Sequence, residues 1–87
     1  MKIVAKPVDA IAVFTAGEPP RPYKFRFYQD SGERTEVTVG SIYSIERSRL
    51  AGIDALVYTC QSEVGCKEKL YQLKYITGEY RWELYKI

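Results

Sequence analysis

Large apolar and polar residues alternate along the last third of the chain. Within residues 71–75 and again within residues 81–85, every second position carries an aromatic or leucine side chain. Successive side chains of a strand point to opposite sides, so this pattern predicts two strands that each bury one face. The Gly78-Glu79 pair between them suits a two-residue type II′ turn, which takes Gly at its first central position.

This turn fixes the register of the predicted closing hairpin. The large apolar residues then share one face, on which Tyr75 lies opposite Trp82 and Leu73 opposite Leu84. A slip of one residue would turn Trp82 to solvent, so we expect a fixed register and a buried Trp82. The other face is predicted to pair Ile76 with Arg81, Lys74 with Glu83, and Leu70 with Ile87.

A second hairpin is predicted over residues 23–39. Asp30-Ser31-Gly32 is suited to a three-residue loop that holds Gly in the left-handed conformation. The loop sets hydrophobic residues opposite one another on one face and an opposite-charge pair on the other. The turn residues, the apolar alternation and the charge pairing thus agree, which supports the prediction. The predicted pairs are Gln29 with Glu33, Phe27 with Thr35, Phe25 with Val37, Tyr23 with Val39, Arg26 with Glu36, and Tyr28 with Arg34.

The patterns in the remaining segments are shorter. Residues 8–14 are predicted to form a strand, with Pro7 at its start or at a sheet edge because proline cannot donate to a ladder. The proline-rich residues 17–22 are expected to be a connector, although such stretches also bind aromatic grooves. Gly40 predicts a bend in the third strand, residues 46–52 a loop, and residues 54–61 a further strand.

Together these elements predict one all-β domain over residues 1–87. About six antiparallel strands follow one another in meander order and curl into a small barrel or roll. A domain of this size buries only about 60–65% of its unfolded surface, so its twelve aromatic residues matter for the core.

The composition of the chain limits the functions that it can have. The net charge is +2, which is too small to indicate nucleic-acid binding by itself, and the chain has no His. Because His is the commonest general base and a frequent metal ligand, we expect no enzymatic activity, no cofactor and no metal site. No signal-peptide core and no apolar run of about 20 residues occurs, which predicts a cytoplasmic protein outside the membrane.

Cys60 and Cys66 allow three interpretations. They could form a disulfide, supply two of the four ligands of a zinc site, or remain free thiols. If Leu56 and Tyr58 face the core beside Tyr71, the numbers of two residues that lie opposite each other in this hairpin must sum to an odd value. The numbers of Cys60 and Cys66 sum to an even value, so the two cysteines cannot lie directly opposite each other. The bulk of Leu56 and Tyr58 favours that arrangement, so free thiols are expected.

Two functions remain compatible with the sequence. The first is an interaction or accessory domain that binds an unknown protein partner or a second copy, since a second apolar face is available to Ile42, Leu70, Ile76, Tyr85 and Ile87. Burial of these residues within the monomer is the simpler interpretation. The second is a single-stranded nucleic-acid binder with stacking and basic side chains. Its candidate residues are Arg26, Tyr28, Arg34, Arg47 and Arg49, with Lys67 and Lys69 near loops.

Five short segments of the chain form a shared pattern: Pro22-Tyr23-Lys24-Phe25-Arg26-Phe27, Val37-Thr38-Val39, Tyr58-Thr59-Cys60, Leu73-Lys74-Tyr75 and Trp82-Glu83-Leu84-Tyr85-Lys86. In this pattern the chain resembles a family of short, uncharacterised all-β proteins from bacteria, mostly firmicutes. The resemblance implies the fold and assigns no activity. Cys66 is not part of the shared pattern, which argues against a required disulfide.

Overall fold

A computed structural model describes all residues from Met1 to Ile87. The chain forms seven strands and two short 3₁₀ turns, Leu50–Gly52 and Thr77–Glu79. The strands are β1 (Ile3–Val13), β2 (Arg21–Tyr28), β3 (Arg34–Thr38), β4 (Ser41–Ser48), β5 (Ala55–Val64), β6 (Lys67–Ile76) and β7 (Arg81–Lys86).

The strands form one curled antiparallel sheet in the order β3-β2-β1-β7-β6-β5-β4. Every neighbouring pair is antiparallel, so β3 and β4, at the two ends of this order, run in the same direction. Only Val39 and Gly40 separate them, and the chain therefore passes from one end of the sheet to the other as a single bent strand. The predicted all-β fold is confirmed. The count rises from six to seven because the third predicted strand is divided at Gly40.

The first strand is longer than predicted. β1 begins at Ile3, and it pairs with β7 up to Val8 and with β2 from Asp9 onward. The prediction of a strand over residues 8–14 was therefore wrong at its start. Pro7 is tolerated inside β1 because it lies opposite Glu83 of β7, in the part of the strand that has no pairing with β2.

The crossover from β3 to β4 is held by a buried polar network. The Gly40 amide donates to Ser62 Oγ at 3.0 Å, and Ser62 Oγ lies 2.5 Å from the Tyr71 hydroxyl. Ser62 and Tyr71 are both buried, so these groups need each other as partners. A Cβ on Gly40 would lie 2.8 Å from the Gln61 carbonyl oxygen, which leaves room only for glycine.

The predicted face of the closing hairpin forms the core. Tyr75 pairs with Trp82 and Leu73 with Leu84, and all four are buried, as predicted. The Trp82 ring lies 4.8 Å from that of Tyr75 and 5.3 Å from that of Tyr58. The predicted Ile76–Arg81 and Lys74–Glu83 pairs are also confirmed.

Two details of the closing hairpin were wrong. The turn is a four-residue loop, Thr77 to Tyr80, with a 3₁₀ turn and Tyr80 in the left-handed conformation instead of a type II′ turn. The predicted pairing of Leu70 with Ile87 fails because Gln72 pairs with Lys86, which leaves Tyr85 as an extra residue in β7. Such a bulge moves every residue beyond it to the opposite register.

The β2–β3 hairpin follows the prediction almost throughout. The pairs Phe25–Val37, Arg26–Glu36, Phe27–Thr35 and Tyr28–Arg34 are confirmed, and Gly32 has a φ of 87°. The Val39 amide also donates to the Tyr23 carbonyl at 2.9 Å, as the predicted pair requires. The Tyr23 ring does not join the buried face, however, because β1 pairs Ile11 with Lys24 but Ala12 with Pro22. Tyr23 is the extra residue of this bulge, so its ring is exposed and Pro22 takes the buried position.

Residues 41–48 form β4, so the loop predicted over residues 46–52 is wrong in its first part. The further strand predicted over residues 54–61 exists as β5 and extends to Val64.

The two cysteines lie apart. β5 and β6 pair with opposed numbers that sum to an odd value, as predicted, and Cys60 faces Tyr71. Cys60 is buried and Cys66 is exposed at the β5–β6 turn, and both are free thiols. Burial raises the pKa of Cys60, Tyr58 and Tyr71 to about 12, so all three are neutral in the folded protein near neutral pH.

Replacing Trp82 by Ala should lower the free energy of unfolding by about 3–5 kcal/mol, because it removes the ring at the centre of the aromatic core. Urea denaturation followed by circular dichroism measures this loss. Tyr23→Ala is the matched control, and it should cost much less because the Tyr23 ring is 58% exposed. Equal denaturation midpoints for Trp82→Ala and the wild type would contradict the packing described here.

Gly40→Ala should destabilise the fold by about 1–3 kcal/mol, because the new methyl group overlaps a backbone carbonyl that cannot move freely. Gly78→Ala is the control, since its Cβ has no heavy atom within 4 Å. That substitution should leave stability unchanged or raise it by up to about 1 kcal/mol. If both variants unfold at the same urea concentration, the crossover is not tightly packed.

Stability should fall as the pH rises above about 9, because Tyr58, Cys60 and Tyr71 keep their protons in the folded state and lose them on unfolding. Below that pH the groups are protonated in both states and the contribution is complete. Each group should lower the free energy of unfolding by about 1.4 kcal/mol per pH unit between its unfolded pKa and its folded pKa. Urea midpoints measured from neutral to alkaline pH test this. A flat profile would show that these groups ionise equally easily in the folded protein.

Candidate functional site

The β4 edge, defined as residues 44–48, is an unpaired side of the sheet. β4 pairs only with β5, and its register is regular after the bulge at Tyr43. Ile45 lies beside Tyr58 of β5 and remains 43% exposed, and Leu50 and Ile53 in the following turn are also exposed. An edge strand with exposed apolar side chains is a template for pairing with another chain.

The other free edges are less suited to pairing. β3 has five residues, and its Glu36 lies 3.3 Å from Lys24 and 3.7 Å from Arg34. Short, charged edges resist association. The second half of β1, residues 9–13, pairs only with β2, and continuing its register with β7 brings its other side to the turn at residues 77–80.

The predicted second apolar face is mostly covered within the monomer. Ile76 is buried, and Ile42, Tyr85 and Ile87 are half-buried. Leu70 alone remains well exposed, on the outer side of β6 opposite Gln61. The simpler interpretation, burial within the chain, therefore holds for four of the five residues.

The residues predicted to contact nucleic acid are divided between two places. Arg26, Tyr28 and Arg34 lie on β2 and β3, whereas Arg47 and Arg49 lie in and after β4, at the other end of the strand order. No single stripe joins the two groups in the strand order, and nucleic-acid binding stays a prediction.

Most of these arginines already have acidic partners. Arg26 Nε lies 3.0 Å from Asp9, Arg34 lies 3.7 Å from Glu36, and Arg49 lies 2.9 Å from Asp54. The hydrogen bond to Asp9 raises the pKa of Arg26. Arg47 has no carboxylate within 4.0 Å. Engaged arginines have less charge to offer to phosphates.

A cavity of about 410 Å³ opens at the end of the curled sheet where β1 begins and β7 ends. We call it the mouth cavity. The turn between β2 and β3 forms one side, and Lys6 and Lys69 lie at its wall. Its apolar lining consists of Val4, Phe27, Val64, Leu84 and Ile87.

Two bulges shape this cavity. In β1 the register shifts between Ile3 and Lys6, where Ala5 has a φ of 44°, and in β7 it shifts at Tyr85. Bulges at barrel rims re-aim side chains. Val4 directly precedes Ala5, Ile87 follows Tyr85 by two residues, and both lie in the cavity lining.

The sequence carries one signal for this cavity beyond the prediction that places Lys69 near a loop. Period-two alternation places Lys69 on the same face as Tyr71 and Leu73, and the pairing of Lys6 with Leu84 gives it the same face. A lysine in a core-facing position is the feature that marks the site.

The helical segments are two turns of three residues, and none is long and apolar enough to cross a membrane. No three His, Cys, Asp or Glu side chains are grouped so that they could hold a metal ion. Comparisons with models of protein families, with curated proteins and with solved structures find no match to this chain.

Proposed function

We propose that the chain is a non-enzymatic interaction domain that associates with a second copy of itself through the β4 edge. The observation that carries the proposal is the unpaired backbone of residues 44–48 beside the exposed side chain of Ile45. Joining two such edges extends the sheet and satisfies backbone groups on both copies. The free thiols support a cytoplasmic location, where cysteines stay reduced.

The charges along β4 favour one register. An antiparallel pairing about a two-fold axis at Ile45 sets Ile45 opposite itself and Ser44 opposite Glu46. Moving the axis to Glu46 or to Arg47 sets like charges opposite each other, which destabilises strand pairing. Moving it the other way reaches the bulge at Tyr43. The pairing about Ile45 avoids like-charge pairs and keeps the bulge residue Tyr43 two positions from the axis, opposite Arg47.

A non-enzymatic role is supported by the use of the charged side chains. Asp9, Glu36 and Asp54 each lie within 3.3 Å of a basic side chain. These carboxylates serve as ion-pair partners on the surface, where they bind cross-strand or loop neighbours. These three carboxylates therefore act as counter-ions and are not free for proton transfer.

The wild-type protein should sediment as a monomer at low concentration and as a dimer at high concentration. Ile45→Lys should raise the dissociation constant by more than about tenfold, because it sets two lysines opposite each other and removes an apolar contact. Leu70→Lys is the matched control: Leu70 is 48% exposed and lies away from the edge, so the dimer should persist.

Sedimentation velocity over a wide concentration range measures all three proteins. A wild type that stays monomeric throughout would contradict the proposal, as would a dimer that Leu70→Lys breaks and Ile45→Lys spares. Titration with single-stranded oligonucleotides at low and high salt completes the test. Strong, salt-sensitive binding would support the nucleic-acid alternative instead.

A further inference from the structure

We propose that the mouth cavity binds a small amphipathic anion, in which a carboxylate or phosphate group is carried on a short aliphatic chain. Such a site would be separate from the β4 edge, because no residue of β4 lines the cavity. Two core-facing lysines above an apolar floor carry the inference.

Lys69 lies on the core-facing side of β6 near the exposed end of the strand. It pairs with the buried Ser62 and precedes the buried Tyr71 by two residues on the same face of β6. No carboxylate lies within 4.0 Å of its ammonium group. Lys69 is exposed at the cavity wall, so its ammonium group is free to bind an anion there.

Lys6 faces the same cavity with partners that leave room for a ligand. Its Nζ donates to the Tyr28 carbonyl at 3.0 Å and lies 5.7 Å from the Phe27 ring centroid. The nearest carboxylate, Asp30, is 3.9 Å away on a fully exposed side chain. An ion pair this exposed contributes little, so a ligand anion can take the place of Asp30.

The floor of the cavity fits an aliphatic chain. Phe27 and Leu84 lie inside the curled sheet, and Val4, Val64 and Ile87 complete an apolar lining. The volume of about 410 Å³ lies within the range of about 300–1,000 Å³ that small-ligand pockets occupy, and barrel mouths are a common place for them. An anion at the two lysines would leave its chain on this floor.

Isothermal titration calorimetry of the full chain with octanoate tests the proposal, and octyl phosphate distinguishes a phosphate head group from a carboxylate. Octanoate should bind, and the uncharged octanol should bind more weakly. Lys69→Met keeps the aliphatic stem and removes the charge, so it should weaken octanoate binding by about tenfold. Octanol binding should be unaffected by the same substitution.

Two further variants sharpen the result. Lys67→Met removes a charge two residues away, outside the cavity lining, and should leave octanoate binding unchanged. Asp30→Asn removes the competing carboxylate and should strengthen binding by up to about fivefold. Octanoate affinity should also be unchanged in Ile45→Lys, which separates this proposal from the dimer.

The proposal is overturned if octanoate and octyl phosphate both fail to bind, or if Lys69→Met binds octanoate as tightly as the wild type. Equal binding of octylamine would have the same meaning, because a cation should be repelled by two lysines. If Lys67→Met and Lys69→Met lowered the octanoate affinity equally, the binding would reflect general attraction to positive charge, and the proposed site would also be ruled out.

Discussion

The structure depends on the passage of one bent strand from one end of the sheet to the other. At the bend, the Gly40 amide bonds to Ser62, which in turn bonds to the Tyr71 hydroxyl. β3 and β4 lie at opposite ends of the strand order, yet only two residues join them. The two ends of the sheet must therefore lie close together, and the sheet must curl. The same curl encloses the aromatic core, leaves β4 unpaired on one side and opens the mouth cavity.

Bulges decide which side chains reach the core. At the register shifts in β2, β4 and β7, the extra residues are Tyr23, Tyr43 and Tyr85. None of these three rings is buried, whereas Tyr58, Tyr71 and Tyr75 in regular register are. Tyrosine tolerates both environments because its ring is apolar and its hydroxyl is polar. The number of tyrosines in the sequence therefore overstates the size of the core.

The sequence predicted the strand pairs next to both turns, Tyr75–Trp82 and Phe25–Val37, because alternation is local. In the closing hairpin the turn type was wrong, but the four-residue loop keeps the register of the expected two-residue turn. The prediction failed where one residue was inserted into a strand, as at Tyr23 and Tyr85, because a bulge reverses the parity on which it rests. Gly40 correctly predicts a bend in the third predicted strand. The alternation of residues, however, does not show that the two halves of this strand lie at opposite ends of the sheet.

The candidate sites were harder to predict than the fold for a related reason. The β4 edge exists only because β3 and β4 pair with different neighbours, and strand order is not encoded in any one segment. Lys6 and Lys69 are 63 residues apart and line one cavity because β1 and β6 both pair with β7, so only their core-facing positions hint at a shared site. Sequence patterns place single side chains on faces, and the topology brings those faces together.

Amide hydrogen exchange followed by nuclear magnetic resonance tests the bent-strand arrangement most directly. In dilute protein, the Gly40 amide should be protected as strongly as amides of β5 and β6, because its partner is the buried Ser62 hydroxyl. Alternate amides of residues 44–48 should exchange rapidly, since they face the open side of β4. Rapid exchange at Gly40, or uniform protection along β4 in the dilute monomer, would contradict the account.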